Sequence, residues 1–225
     1  KNIYILFFFI GINKLSAQVL QKEVRKQEQV WLSVNSIFRL TNRWGISVDI
    51  HDRRNNFLKD PSFSIIRVGA TYWLNDKISI TAGYGHMWLA PSKPGWQTFS
   101  HENRFYQQIQ MSMALGKVNL LQRVRNEQRW QQIIVNDKQT GDNRFTERIR
   151  YLLSFNIPVF KNNLFPSLIL SDEVCVQFGK EVIYNTFDQN RFFIGIKQKI
   201  SKAISFDLGY MLLKQQRASG YQYDL

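Results

Sequence analysis

Between Leu121 and Trp130 charged and uncharged side chains take turns: Arg123, Arg125, Glu127 and Arg129 alternate with Val124, Asn126, Gln128 and Trp130. A period of two is that of a β-strand, whose successive side chains point to opposite faces. So many charges on one face need open water or a polar interior on that side. The same parity recurs down the chain. Strand after strand sets an aliphatic and aromatic face against one of Arg, Glu, Gln, Ser and Gly, which is the inside-out pattern of a membrane β-barrel.

The first residues point to the same compartment. Lys1 precedes an apolar run over 3–12, followed by Leu15-Ser16-Ala17 and the polar Gln18. A basic start, a short apolar core and a small residue before a polar one read as a secretory signal peptide over 1–17, cleaved after Ala17. The run is too short for a membrane-spanning helix. Residues 18–225 are then expected to form a single barrel domain in the cell outer membrane. The single Cys, Cys175, excludes an internal disulfide framework. A net charge of +13 ordinarily raises nucleic acid as a partner. Here the leader argues against it, and the basic residues alternate along strands instead of clustering on a helix. Outer-membrane lipid headgroups, lipopolysaccharide or an acidic small solute are the expected partners.

Ten strands follow from the alternation, over about 30–40, 43–54, 62–74, 77–89, 101–115, 118–135, 144–158, 164–178, 189–200 and 203–214. Most exceed the roughly 9–11 residues that cross the hydrocarbon core. Short turns at 41–42, 75–76, 116–117, 161–163 and 201–202 alternate with polar loops such as 55–61, 90–100 and 136–143, as in outer-membrane barrels. With the short turns periplasmic the first strand starts on the outer side, so a further strand from about 19 to 27, or missing sequence, is needed, and a closing strand brings the count to twelve. The expectation is therefore an all-β, antiparallel transmembrane β-barrel of 12 strands, its closing strand missing or truncated in this chain. A soluble β-sandwich or lipocalin-like barrel would turn the apolar faces inward. It would also carry a Lys-rich mixture outside, whereas the polar face here is dominated by Arg with Glu, Gln and Gly.

The inward parity collects Arg67, Arg104, Arg123, Arg125, Arg129, Arg144, Arg148, Arg150 and Arg191 against Asp49, Glu102, Glu127 and Glu173. An Arg turned to lipid costs about 2–4 kcal/mol at the bilayer midplane, so this parity is strongly enforced. Glu147 and Asp172 are the exceptions, on outward parity. Two roles stay open for the cluster. Guanidiniums and carboxylates on neighbouring strands can pair bidentately and plug the lumen. Alternatively, the surplus positive charge can bind or pass anionic solutes or lipid headgroups.

An outer-membrane lipid hydrolase or deacylase is the alternative from another class, needing a nucleophile and base in reach of each other. Of three His, His86 reads as outward, and His51 and His101 as inward at strand ends. Ser100 beside His101 is the tempting pair, but adjacent strand residues face opposite ways. No His/Cys metal cluster and no phosphate-cradling Gly loop is evident, so no catalytic residue, metal or cofactor is expected. Trp44, Tyr72, Trp73, Tyr84, Trp88 and Trp130 lie near strand ends, where aromatic belts meet headgroups.

Trp31, the Arg-x-Arg-x-Glu-x-Arg strand at 123–129, Arg148-x-Arg150, Asp172-Glu173 and Asp188-Gln189-Asn190-Arg191 leading to Gly195 together resemble a domain-of-unknown-function family of Gram-negative outer-membrane barrel proteins. The similarity spans about residues 29–214. It implies the fold and the location, and it carries no catalytic residue with it.

Overall fold

The computed structural model describes residues 23–24, 28–160, 165–183, 185–201, 203–217 and 220–224. The expected signal peptide lies outside them. All regular structure among the described residues is strand, in one sheet. A two-residue strand, β1 (Glu23–Val24), precedes ten long ones: β2 (Gln29–Arg39), β3 (Trp44–Asn55), β4 (Asp60–Asn75), β5 (Ile78–Leu89), β6 (Ser100–Leu115), β7 (Val118–Val135), β8 (Lys138–Ile157), β9 (Ser167–Phe178), β10 (Phe187–Lys199) and β11 (Ser205–Arg217). A short β12 (Gly220–Asp224) follows. From β2 to β12 each strand pairs antiparallel with the next.

The sheet is curled. Arg191 of β10 places its guanidinium carbon 5.4 Å from the Trp31 ring of β2, although eight strand intervals separate the two in the sheet order. At about 4.8 Å per interval a flat sheet would hold them nearly 40 Å apart. Curling gives the sheet a concave face, which the arginine parity occupies, and a convex face of apolar side chains. Val34, Ile50, Val68, Ile109, Val124, Ile149 and Ile194 are all exposed on the convex side.

Glycines make the concave face fit. A Cβ on Gly83 would stand 2.7 Å from the Tyr106 ring, and one on Gly85 would stand 2.6 Å from Cγ of Arg67. Tyr106 and Arg67 thus lie flat against strand backbone where any other residue would push them off. At the lower end, defined by the turns after β2, β4 and β6, Trp73 lies over Gly45 and Thr71 bonds Thr81 across 2.9 Å. Trp73 is therefore an interior side chain, not the belt residue its place near a strand end suggested. Trp44 and Tyr72 do form an edge-to-face pair on the outside, with ring centroids 4.8 Å apart.

Two expected features differ. The loop foreseen over 136–143 is a two-residue turn, Asn136 and Asp137 at φ 51° and 58°, and both strands run on through the polar stretch. Beyond the neighbouring strands the hairpin meets water on both faces, so the alternation that marks a half-buried strand fades there. Asp137 ties this hairpin to the 90–99 loop, accepting from the backbone N–H of Thr98 at 2.8 Å and of Gln97 at 3.0 Å. Those donors hold its carboxyl below the ordinary Asp value. The additional strand foreseen over 19–27 is present, among the described residues, only as β1, which pairs parallel with β12 and not with β2. Below that point the concave positions Ser33 and Asn35 of β2 and Ser205 and Asp207 of β11 are exposed. Among the described residues the sheet is curled and the lower part of its seam is open.

Candidate functional site

The concave face holds a connected set of guanidiniums and carboxylates. Glu127, on β7, is 1% exposed. It accepts from Nη2 of Arg148 at 2.5 Å and from Nη1 of Arg150 at 2.8 Å, both on β8, with Arg104 and Arg125 each 3.7 Å away. Glu173 of β9 receives Arg150 through both carboxylate oxygens, at 2.8 and 2.7 Å, and also binds Arg123 of β7 at 2.8 Å and Arg191 of β10 at 3.1 Å. Glu102 of β6, fully buried, takes Arg129 in a bidentate fork at 2.9 and 3.1 Å and also pairs with Arg104. Arg67 stands apart on β4, bonding Asp49 at 2.6 Å and His51 at 2.8 Å. The concave face thus carries Arg67, Arg104, Arg123, Arg125, Glu127, Arg129, Arg148, Arg150, Glu173 and Arg191.

The local cause is register. Antiparallel pairing sets Arg125 opposite Arg150 and Glu127 opposite Arg148, and Arg191 opposite Glu173. Period-two strands in this register put alternate residues of β6 to β10 on the same face, within reach of a long side chain. Arg125 completes its fork on a neutral partner, giving Nε and Nη2 to the Gln108 carbonyl at 3.0 and 2.7 Å and lying 4.9 Å from the Tyr106 ring. A buried ion pair with one partner removed costs about 3–5 kcal/mol, which makes these contacts mutually obligatory.

Two assignments in the cluster change. Arg144 does not join the cluster; it lies exposed on the projecting part of β8 and bonds Gln131 at 3.0 Å. Asp188 does join, accepting from Nη1 of Arg148 at 3.1 Å. A β-bulge between Phe187 and Gln189 buries both Asp188 and Gln189, so a strict parity count passes over Asp188. The uninterrupted run Asp188-Gln189-Asn190 is the sequence signal for it. Arg53 shares the inward parity of Asp49 and His51 on β3 and lies inside as well, with its guanidinium carbon 3.2 Å from the Trp31 ring and 4.4 Å from that of Phe63. Among the described residues nine interior guanidiniums face five carboxylates.

The outward exceptions stay outward. Glu147 is exposed, and Asp172 accepts from Nδ2 of Asn190 at 2.5 Å on the convex face. His101 was expected inward; with Glu102 buried inside, its neighbour must face out, and it lies 3.2 Å from Nε2 of His86 on the convex side. Ser100 instead donates to the Gln132 carbonyl at 2.8 Å. That serine and that histidine are on opposite faces.

Above the network opens a cavity of about 420 Å³. Its wall runs from Gln29 of β2 to Gln215 of β11 and includes seven arginines and one carboxylate, Asp188. The apolar side chains of Phe63, Ile65, Met87 and Leu213 complete it. No cluster of three or more His, Cys, Asp or Glu able to hold a metal occurs among the described residues. Guanidinium donors converging on a partly apolar cavity are an arrangement that grips anions.

No curated protein and no solved structure matches the chain. A family model described as protein of unknown function (DUF2490) matches residues 28–224. The chain therefore belongs to that family of proteins of unknown function.

Proposed function

We propose that this chain is a non-enzymatic, integral outer-membrane β-barrel of twelve strands whose lumen is plugged at mid-depth by arginine–carboxylate pairs. One observation carries the reading: charge is buried and grease is exposed on the same strands. Glu127 and Arg125 are at 1% and 4% exposure while Val124, paired with the exposed Ile109 and Tyr151, is at 48%. In water that inversion would be unstable, since apolar burial drives folding and charge burial opposes it. With hydrocarbon outside and paired charges inside, both faces are satisfied. The leader-like first residues favour export, and lipid and lipopolysaccharide are the surrounding partners.

The test is the purified chain in planar bilayers. The plugged barrel passes no steady current, and the double variant R148A/R150A opens stepwise conductance. Steady conductance from the unaltered protein contradicts the plug. A chain that stays monomeric in detergent-free buffer contradicts the membrane assignment itself.

A further inference from the structure

The cavity above the network holds more positive charge than its own carboxylates can answer. Of the five interior carboxylates only Asp188 reaches the cavity wall, and Arg148 already holds it at 3.1 Å. Glu102, Glu127 and Glu173 are committed to the network behind it. Two of the seven lining arginines are underused. Among the described residues, no carboxylate lies within salt-bridge distance of Arg53; it stacks on Trp31 and Phe63, at 3.2 and 4.4 Å. Stacking engages the face of a guanidinium and leaves the N–H edge, where its donors point, open. Arg191 gives Nη1 to Glu173 at 3.1 Å, while its buried Nε has no partner among the described residues. Buried donors are almost always met, so an unmet one on a side chain that lines a cavity leaves that guanidinium short of acceptors.

From these observations we infer that the cavity is a binding site for a phosphate-class oxyanion, bridged between Arg53 and Arg191 beside Trp31. This rests on the barrel reading, which seals the cavity's sides and leaves it to be entered from above. The two guanidinium carbons lie 3.2 and 5.4 Å from the same indole ring, which bounds their separation at the sum of those distances. One tetrahedral oxyanion with charge-assisted contacts of about 2.7–2.9 Å spans such a gap. Phosphate suits the site because it offers several acceptor oxygens and up to two negative charges to a wall with a net positive surplus. The volume, about 420 Å³, matches roughly fourteen waters at about 30 Å³ each. That is room for a phosphate and a small organic group resting on Phe63 and Leu213. The phosphate can belong to a free phosphorylated solute or to a lipid headgroup.

The experiment titrates glycerol 3-phosphate into the purified full chain in a neutral detergent by calorimetry. One molecule binds per chain, R53Q and R191Q each weaken binding tenfold or more, and D188N, which frees an Arg148 donor and removes the only competing carboxylate, tightens it several-fold. R144Q, on the exposed hairpin, leaves it unchanged. A second arm repeats the titration in phosphatidylcholine nanodiscs with and without lipid A. Competition by lipid A assigns the phosphate to a lipid headgroup, and undiminished binding assigns it to a solute. Absence of binding, or equal affinity in R53Q, R191Q and the unaltered protein, overturns the site. Heat-modifiable migration and the absence of conductance, measured on the same samples, show whether the plugged barrel stands when the site does not.

Discussion

The two faces of β7 and β8 obey opposite burial rules. Along β7 the interior positions carry Arg123, Arg125, Glu127 and Arg129, all shielded, while Val124 on the other face is about half exposed. In a water-soluble fold the ranking runs the other way, with Lys, Arg, Asp and Glu almost never fully buried unless paired. The difference teaches that the faces answer to different solvents. In the proposed membrane setting the interior is stabilised by paired charge and the exterior by contact with lipid.

Removing one carboxylate from the interior is the severest test of that difference. E127A leaves Arg148 and Arg150 without their shared acceptor, and should cost about 3–5 kcal/mol in urea unfolding from lipid vesicles. The convex face is probed by V124R, expected to cost about 2–4 kcal/mol if that position meets the bilayer core. A cost near zero means that water touches it. Packing on the concave wall gives a smaller effect. G83A pushes a methyl to 2.7 Å from the Tyr106 ring and 2.4 Å from the Val68 carbonyl, an overpacking that typically costs about 1–3 kcal/mol.

The mildest expected change lies on the projecting β7–β8 hairpin. Asp137 is charged when it accepts from Gln97 and Thr98, and these bonds lower its folded pKa below the ordinary value of 3.8. Its contribution is therefore fully present above the unfolded value and lost as pH falls through the folded one. Protection of the Gln97 and Thr98 amides, measured against their intrinsic exchange rates, should stay high at neutral pH and fall only below about pH 4, and D137N should show the low protection already at neutral pH. Protection that ignores both pH and the substitution removes Asp137 as the tie.

Most of the architecture was legible because one physical rule, alternation against two unlike environments, governs ten strands at once. It failed where that rule is locally suspended. The bulge at Asp188 breaks parity by one residue, and the β7–β8 hairpin leaves the two-environment region altogether. Trp73 and Trp44 both lie near turns, but Trp73 shares the inward parity of Arg67 and Thr71 and fills the space left by Gly45, while Trp44 pairs with the outward Tyr72, so closeness to a strand end alone does not make a belt residue. Arg53 shows a further limit: parity placed it inside, but its stacking between Trp31 and Phe63 depends on strands β2 and β4 meeting it from either side. Pair contacts between distant strands, such as Arg191 with Trp31, depend on the curl of the sheet, which no local pattern records.

Consecutive single-cysteine labelling along 151–154 of β8, in a chain with Cys175 replaced and quenching by brominated lipid as the readout, tests the central claim most directly. Labels at Tyr151 and Leu153 should be quenched and those at Leu152 and Ser154 spared. Uniform protection, or alternation in the opposite phase, would contradict a wall with lipid on its convex side and paired charge on its concave one.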